Sequence, residues 1–213
     1  MTRLILVRHG FSQANAEDRF AGHSDFPLTD IGHRQAASAA EYLYKTEKID
    51  KIYASDLLRA YHTATPTAEK FGLEVIPDPR LREIYAGKWE GIRFLDLVTE
   101  YESDFRMWKT DFGRAFCTGG ESVAELFDRV TEAVCDIARQ NDGKCVMIAS
   151  HATPLRAIEC FAAGKTAYDM CDFAFPANAS IQIYRYEQDT LIPERLNVVD
   201  HLVGMMTELP KGV

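Results

Sequence analysis

The sequence has few of the features that mark a secreted or membrane-spanning protein. Its five cysteines are odd in number and include no Cys-x-x-Cys pair, which indicates free thiols rather than a disulfide framework. No run approaches the roughly 18 apolar residues that a membrane span requires. Arg8 interrupts the first apolar run, so the N-terminus does not resemble a signal peptide. We therefore expect a cytoplasmic protein.

Positive charge is also scarce. The chain has 24 lysines and arginines against 32 aspartates and glutamates, a formal net charge of −8. This balance argues against a nucleic-acid or anionic-membrane partner, so an anionic substrate would need a local cluster of arginines. The spacing of His23, His33, His62 and His201 suggests no metal site, and we interpret these four as surface or loop residues.

Two short apolar runs lead directly into histidines. Leu4–Val7 precedes Arg8-His9-Gly10, and Val146–Ala149 precedes Ser150-His151-Ala152. Such runs are typical of buried parallel strands, and ligands of open α/β sheets bind just outside the carboxyl ends of these strands. The sequence therefore predicts that both histidines and Arg8 meet in one crevice.

Strand and helix signals alternate, which predicts an α/β fold: a three-layer sandwich with a mostly parallel central sheet and helices on both faces. The 213 residues predict a single domain over 1–213, with a cap inserted at about 84–120. The strands are predicted at 4–7, 51–54, 74–77, 146–149, 181–186 and 195–199. The helices are predicted at about 30–45 after Thr29, 57–71 capped by Ser55 and Asp56, 93–109, 122–139, and from Pro154 with Thr153 as N-cap.

Arg59 stands in the first turn of a predicted helix, where the helix dipole is already positive. A cation at this position makes sense when an anion shares the spot, and the planar guanidinium matches phosphate oxygens. Gly10 is expected to let the backbone come close to a ligand. These residues point to a phosphoryl-binding crevice.

Six ordered blocks between Arg8 and about Arg156 resemble the histidine phosphatase superfamily, the phosphoglycerate-mutase-like proteins. They are Arg8-His9-Gly10 with Asn15; the stretch from Gly22 to Ala36; Ser55 to Ala64; Leu81-Arg82-Glu83 with Gly87-x-Trp89-Glu90-Gly91; Gly119 to Ser122; and Ser150-His151.

The resemblance implies a site and a reaction. His9 would be the nucleophile that forms a phosphohistidine, and Arg8, Arg59 and His151 would neutralise the phosphoryl oxygens. Glu83 would protonate the leaving oxygen and then deprotonate water. Asn15, Gly22 and Ala152 complete the expected substrate-binding set. The resemblance implies no metal and no cofactor, and a small phosphorylated metabolite as the partner.

Three functions stay open from the sequence, and metal-independent phosphomonoester hydrolysis is favoured. A cofactor-dependent mutase usually has Arg-His-Tyr-Gly after the acid, whereas Glu83 is followed here by Ile-Tyr-Ala-Gly. Five cap cations could still bind a second anion: Lys88, Arg93, Arg106, Lys109 and Arg114. A catalytically inactive binding module is the third reading, although every matched catalytic position is filled. A homodimer is left open.

Overall fold

One mixed sheet forms the centre of the molecule. The computed structural model describes residues 1–208, and within them the sheet has six strands: Thr2–Arg8 (β1), Lys51–Ala54 (β2), Val75–Pro77 (β3), Cys145–Ser150 (β4), Ile181–Glu187 (β5) and Thr190–Val198 (β6). Their order is β3-β2-β4-β1-β5-β6. The first four strands in that order run parallel, whereas β5 and β6 pair antiparallel. The predicted mostly parallel sheet is confirmed.

Helices cover both faces of the sheet. Within the described residues the α-helices are Gln13–Ala16 (α1), Asp30–Thr46 (α2), Leu58–Phe71 (α3), Phe94–Glu100 (α4), Glu102–Thr110 (α5), Val123–Gln140 (α6) and Ala152–Ala162 (α7). Side chains of β1 alternate between two cores. Leu4 and Leu6 pack on the side of α6 and α7, and Ile5 and Val7 pack on the side of α2 and α3. The three-layer α/β architecture is therefore confirmed. Across residues 1–208, none of the helices is both long and apolar enough to cross a membrane.

The predicted cap of α3 is wrong. The helix begins at Leu58, and the Leu58 N–H donates to Asp25 Oδ1 at 2.7 Å, so the capping carboxylate comes from a distant segment. Asp56 instead pairs with Arg82, whose Nε donates to Asp56 Oδ1 at 2.6 Å. A tertiary acceptor thus replaces the local one that the sequence offered.

The predicted start of α7 is also wrong. The helix begins at Ala152 with His151 as N-cap, two residues before the predicted start. The Thr153 N–H donates to Glu83 Oε2 at 3.3 Å, so again a distant carboxylate satisfies the first turn. This shift places His151 and Glu83 together at the positive end of α7.

The segment 84–120, which was predicted to form a cap, contains a break where a single helix over 93–109 was predicted. Helices α4 and α5 are separated at Tyr101, whose ψ of 42° is not helical. The break lets both helices bury aromatic rings around Trp89, with the Phe105 ring centroid 5.7 Å from that of Trp89. Trp89 is fully buried and its Nε1 donates to Thr118 Oγ1 at 2.9 Å, so this indole is the packing centre of the cap.

Candidate active site

The candidate site lies at the carboxyl ends of β1 and β4. Arg8 and Ser150 are register partners in these neighbouring parallel strands, so the next residue of each, His9 and His151, emerges at the same sheet edge. Their ring centroids lie 5.2 Å apart. The structure thus brings together two histidines that are 142 positions apart in the sequence.

A cleft opens at this point, and most of the predicted site residues line it. Those on its wall are Arg8, His9, Asn15, Gly22, Arg59, Glu83 and Ala152. His151 is fully buried behind His9. Every residue of the predicted set therefore lies in the cleft or directly against it.

The His9 ring is oriented by its own neighbour. Nδ1 lies 2.7 Å from the Gly10 carbonyl oxygen, and because a carbonyl only accepts, Nδ1 carries the proton and Nε2 keeps its lone pair. Burial, followed by the charges of Arg59 and Arg8, holds the pKa of His9 well below its ordinary value. The ring is therefore a neutral imidazole near pH 7, as a nitrogen nucleophile must be.

Gly10 packs closely against helix α2. A Cβ at this position would lie 2.5 Å from the Gly32 carbonyl oxygen of α2. Glycine is thus required here by the close approach of a helix backbone. The Gly10 N–H donates to Thr63 Oγ1 at 3.0 Å, which ties the loop after β1 to α3.

Two buried guanidinium groups flank His9. Arg8 Nη1 donates to the Pro176 carbonyl at 2.6 Å, and Arg59 donates to the carbonyls of Ser24 at 2.9 Å and Gly22 at 2.7 Å. Within residues 1–208 neither forms a salt bridge, and the Nε of each is buried without a partner. Burial lowers the pKa of both to about 10, so both stay charged at neutral pH. Their charge is left for an anion in the cleft.

His151 is held by a residue that sequence analysis used only as a helix cap. Its Nε2 lies 2.8 Å from Ser55 Oγ, and that oxygen accepts the Leu57 N–H at 3.4 Å. The Ser55 hydroxyl can donate to Nε2 in the tautomer of His151 that carries its proton on Nδ1. Nδ1 is buried with no partner among the described residues. Burial, then Arg59, holds the pKa of His151 well below its ordinary value, so the ring is a neutral donor.

Glu83 closes the opposite side of the cleft. Its Oε1 accepts the Ile84 N–H at 2.8 Å and its Oε2 accepts the Thr153 N–H at 3.3 Å. These bonds fix the carboxyl group between the cap segment and the first turn of α7. The position suits a group that exchanges a proton with the leaving oxygen of a bound ester.

Asn15 and Ala152 add neutral donors. Asn15 Oδ1 accepts from Ser12 N at 3.1 Å, Ser12 Oγ at 2.9 Å and Asn178 Nδ2 at 3.2 Å. Its Nδ2 makes no hydrogen bond within the described residues, which leaves two N–H groups for the cleft. Ala152 is the first residue of α7, where backbone N–H groups are free to bind an anion.

Sequence reasoning missed Asn178 and the role of Glu90. Asn178 Nδ2 donates to the His9 carbonyl at 3.2 Å, and no motif in the sequence marks it. The Glu90 carboxylate accepts from Ala86 N, His23 N, Ser24 N and Ser24 Oγ at 2.6 to 3.0 Å. It joins the segment that holds Arg59 to the one that carries Glu83. The Gly-x-Trp-Glu-Gly pattern is the sequence feature that could have indicated this role of Glu90.

His23 lies in a turn, in agreement with its interpretation as a surface or loop residue. His23 is half-buried, and its Nε2 lies 2.9 Å from the Glu83 carbonyl oxygen. His201 is likewise half-buried, with Nε2 2.9 Å from the Ala179 carbonyl. Both rings therefore lie within hydrogen-bond distance of a backbone carbonyl oxygen of the protein. Within residues 1–208 no group of three or more histidines, cysteines, aspartates or glutamates is arranged to hold a metal.

Away from the phosphoryl-binding end, the cleft is walled by aromatic side chains and one arginine. These are Phe20, Phe94, Trp108, Phe175 and Arg19. Phe11, which follows the first motif, does not line the cleft. A leaving group bound here would therefore lie against aromatic rings contributed mainly by the cap and by the chain before β5.

Comparisons with known proteins agree with this site. The family model of the histidine phosphatase superfamily (branch 1) matches residues 4–199. The chain is 33% identical to phosphoserine phosphatase 1 of Hydrogenobacter thermophilus over 213 residues, covering 100% of both chains. It is 39% identical over 171 residues to a protein named "Probable phosphoglycerate mutase GpmB" of Enterobacter sp., covering 79% of this chain and 78% of that one.

A solved structure resembles the whole fold. It is a mutant phosphoserine phosphatase from Entamoeba histolytica in complex with phosphoserine, with a TM-score of 0.83 and 26% identity. The match covers 95% of this chain and 100% of that chain. These likenesses support a phosphatase and are consistent with activity on small phosphorylated metabolites.

Proposed function

Because the chain belongs to branch 1 of the histidine phosphatase superfamily, we propose that it hydrolyses small phosphomonoesters without a metal, through a phosphohistidine on His9. The observation that carries this proposal is the His9 ring itself. Its Nδ1 proton is committed to the Gly10 carbonyl at 2.7 Å, so a neutral Nε2 is available between two unneutralised guanidinium groups.

In the first step, Nε2 of His9 attacks phosphorus, and the bond between phosphorus and the ester oxygen breaks. Protonated Glu83 gives its proton to that oxygen, and the alcohol leaves. Arg8, Arg59, Asn15 Nδ2, His151 Nδ1 and the Ala152 N–H stabilise the charge on the phosphoryl oxygens.

In the second step, water attacks the phosphohistidine. The Glu83 carboxylate takes a proton from that water, the bond between nitrogen and phosphorus breaks, and inorganic phosphate forms. Glu83 is then protonated again, and His9 returns to its neutral form with the proton on Nδ1. Arginines and neutral imidazoles supply the electrostatic stabilisation that a metal gives other phosphatases.

Hydrolysis is proposed over phosphoryl transfer between positions of one substrate. A mutase holds a second anionic group. The five cations considered from the sequence are all exposed, and none of them lines the cleft. Ile84 and Ala86, which follow the acid, are buried and uncharged. Arg19 is the one further cation on the cleft wall among residues 1–208.

Phosphate release from a panel of small phosphomonoesters, in the presence of a chelator, tests the proposal. Phosphoserine comes first because the relative matched over its whole length is named for it. We expect release by the wild type and none by His9→Ala. The panel includes 3-phosphoglycerate with and without its bisphosphate primer, and isomer formation without release would identify a mutase. Full activity in His9→Ala would contradict the mechanism.

A further inference from the structure

Arg156 is a buried cation that the proposed reaction does not use. It lies one turn into α7, and only 7% of the residue is exposed. Within residues 1–208 it forms no salt bridge and no hydrogen bond, and its Nε is buried without a partner. Burial lowers its pKa to about 10, so it stays charged at neutral pH. Burying a charge is costly without compensation, so its surroundings must supply some.

Two aromatic rings supply that compensation. The guanidinium carbon of Arg156 lies 4.3 Å from the centroid of Phe112 and 4.3 Å from the centroid of Phe175. The cation therefore lies within cation–π distance of both rings, and such an attraction increases when water is excluded. The rings also contact each other edge to face, with centroids 5.7 Å apart.

One of the two rings lines the cleft, and the other supports a ring that does. Phe175 lines the cleft directly. Phe112 packs on Trp108, which also lines the cleft, at a centroid distance of 4.6 Å. Arg156 therefore lies behind the leaving-group wall and attaches its two sides, one from the cap and one from the chain before β5, to α7.

The phosphoryl-binding end is fixed by other contacts. Immediately after Phe175, the Pro176 carbonyl accepts from Arg8, and Asn178 Nδ2 donates to the His9 carbonyl. These bonds do not involve Arg156. Loss of the Arg156 stack would release the aromatic wall and leave the phosphoryl-binding groups in place.

We propose that Arg156 is a positioning residue that sets leaving-group specificity by holding Phe175 at the cleft and Phe112 behind Trp108, and that the wall favours phosphomonoesters whose leaving group has a planar apolar face. This inference rests on the proposed function for its site. Planar apolar groups gain most from aromatic walls, because they bury area and stack on the rings.

The test compares two substrates in wild type and Arg156→Met, which replaces the cation with an apolar chain that packs adaptably. With 4-nitrophenyl phosphate we expect KM to rise about tenfold, the equivalent of one desolvated cation–π contact, with kcat within about twofold. With glycerol 3-phosphate, KM should stay within about twofold, and so should the inhibition constant of inorganic phosphate.

Arg114→Met is the matched control, because Arg114 also stacks on a ring, that of Tyr168 at 5.1 Å, but is exposed and away from the cleft. It should change none of these constants. Phe175→Leu should reproduce the selective rise, and the double variant Arg156→Met/Phe175→Leu should be no worse than Phe175→Leu alone. Arg156→Lys, which keeps the charge without the planar fork, provides a second variant should Arg156→Met fail to fold, and its KM should rise in the same direction.

An equal rise in KM for both substrates, a weaker affinity for phosphate, or additive effects in the double variant would overturn the proposal. Calorimetric binding of phenylphosphonate and methylphosphonate separates it from the proposed function, since neither compound needs to be hydrolysed. Consider a wild type that releases no phosphate and yet binds phenylphosphonate more tightly than methylphosphonate. If Arg156→Met then abolishes that preference, only the phosphatase proposal is contradicted.

Discussion

The Ser55 hydroxyl oxygen lies 2.8 Å from Nε2 of His151, a contact between the ends of two neighbouring parallel strands. Ser55 follows β2 and His151 follows β4, and these strands pair directly. In the tautomer in which Ser55 donates to Nε2, the His151 proton lies on Nδ1. In the proposed reaction Ser55 then positions a donor without contacting the substrate itself.

We predict that Ser55→Ala lowers kcat by about tenfold to a hundredfold, because a buried hydrogen bond is lost and the His151 proton is no longer held on Nδ1. KM should change much less. Ser38→Ala is the control, since Ser38 Oγ donates to the His201 carbonyl at 2.6 Å far from the cleft. Equal kcat values for wild type and Ser55→Ala would show that Ser55 does not position His151 for catalysis.

Glu90→Gln should lower kcat/KM about as severely as Glu90→Ala. Each Glu90 oxygen accepts two hydrogen bonds. Glutamine replaces one of these oxygens by an NH2 group, which cannot accept and would face N–H donors. We expect a loss of about a hundredfold, consistent with leaving buried donors unsatisfied on both sides of the site. Steady-state kinetics of both variants provide the measurement.

Glu125→Gln is the matched control for Glu90→Gln. Glu125 also accepts from a backbone N–H and a serine hydroxyl, but it does so in the exposed capping box of α6, where glutamine is tolerated. Its kcat/KM should equal that of wild type. Near-normal activity in Glu90→Gln would mean that the hydrogen bonds of the Glu90 carboxylate do not position the site.

Stability should fall as the pH drops below about 6.5. The folded-state pKa values of His9 and His151 are held below that of an unfolded histidine, so below pH 6.5 the unfolded chain binds protons that the folded chain does not. The free energy of unfolding should therefore decrease by up to about 1.4 kcal/mol per pH unit for each ring. Denaturant unfolding between pH 5 and 7 measures the slope. His9→Gln should reduce this slope by the amount that corresponds to about one proton. An unchanged slope would show that His9 does not have a lowered pKa in the folded protein.

Ala152→Gly should leave kcat within about twofold, because the N–H that faces the cleft belongs to the backbone. Glycine in the first turn of α7 should cost at most about 1 kcal/mol of stability. Thermal unfolding and phosphate release on the same preparation check both expectations. A large gain in turnover would show instead that the alanine methyl group obstructs the substrate.

The sheet and the meeting of His9 with His151 were predictable because both depend on short-range patterns. A run of four apolar residues is enough to predict a buried strand. Ligands of such sheets bind at the carboxyl ends of the parallel strands, so the position of the site follows. The caps of α3 and α7 were not predictable, because Asp25 and Glu83 reach them from distant segments and local sequence contained acceptable alternatives.

The aromatic wall and its support by Arg156 were not predictable either. Phe112, Phe175 and Arg156 come from three separate elements, and no periodicity relates them. The break at Tyr101 arises from packing around Trp89, which overrides a helical pattern that continues through it. Tertiary contacts decide such features.

The most direct test of the central claim is a rapid-quench experiment with 32P-labelled phosphoserine, or with whichever ester of the panel turns over, in chelator. We predict a burst of enzyme-bound phosphate that is stable to base and labile to acid, located on His9 and absent from His9→Ala. Turnover with no labelled protein at any time, or label on a different residue, would contradict it.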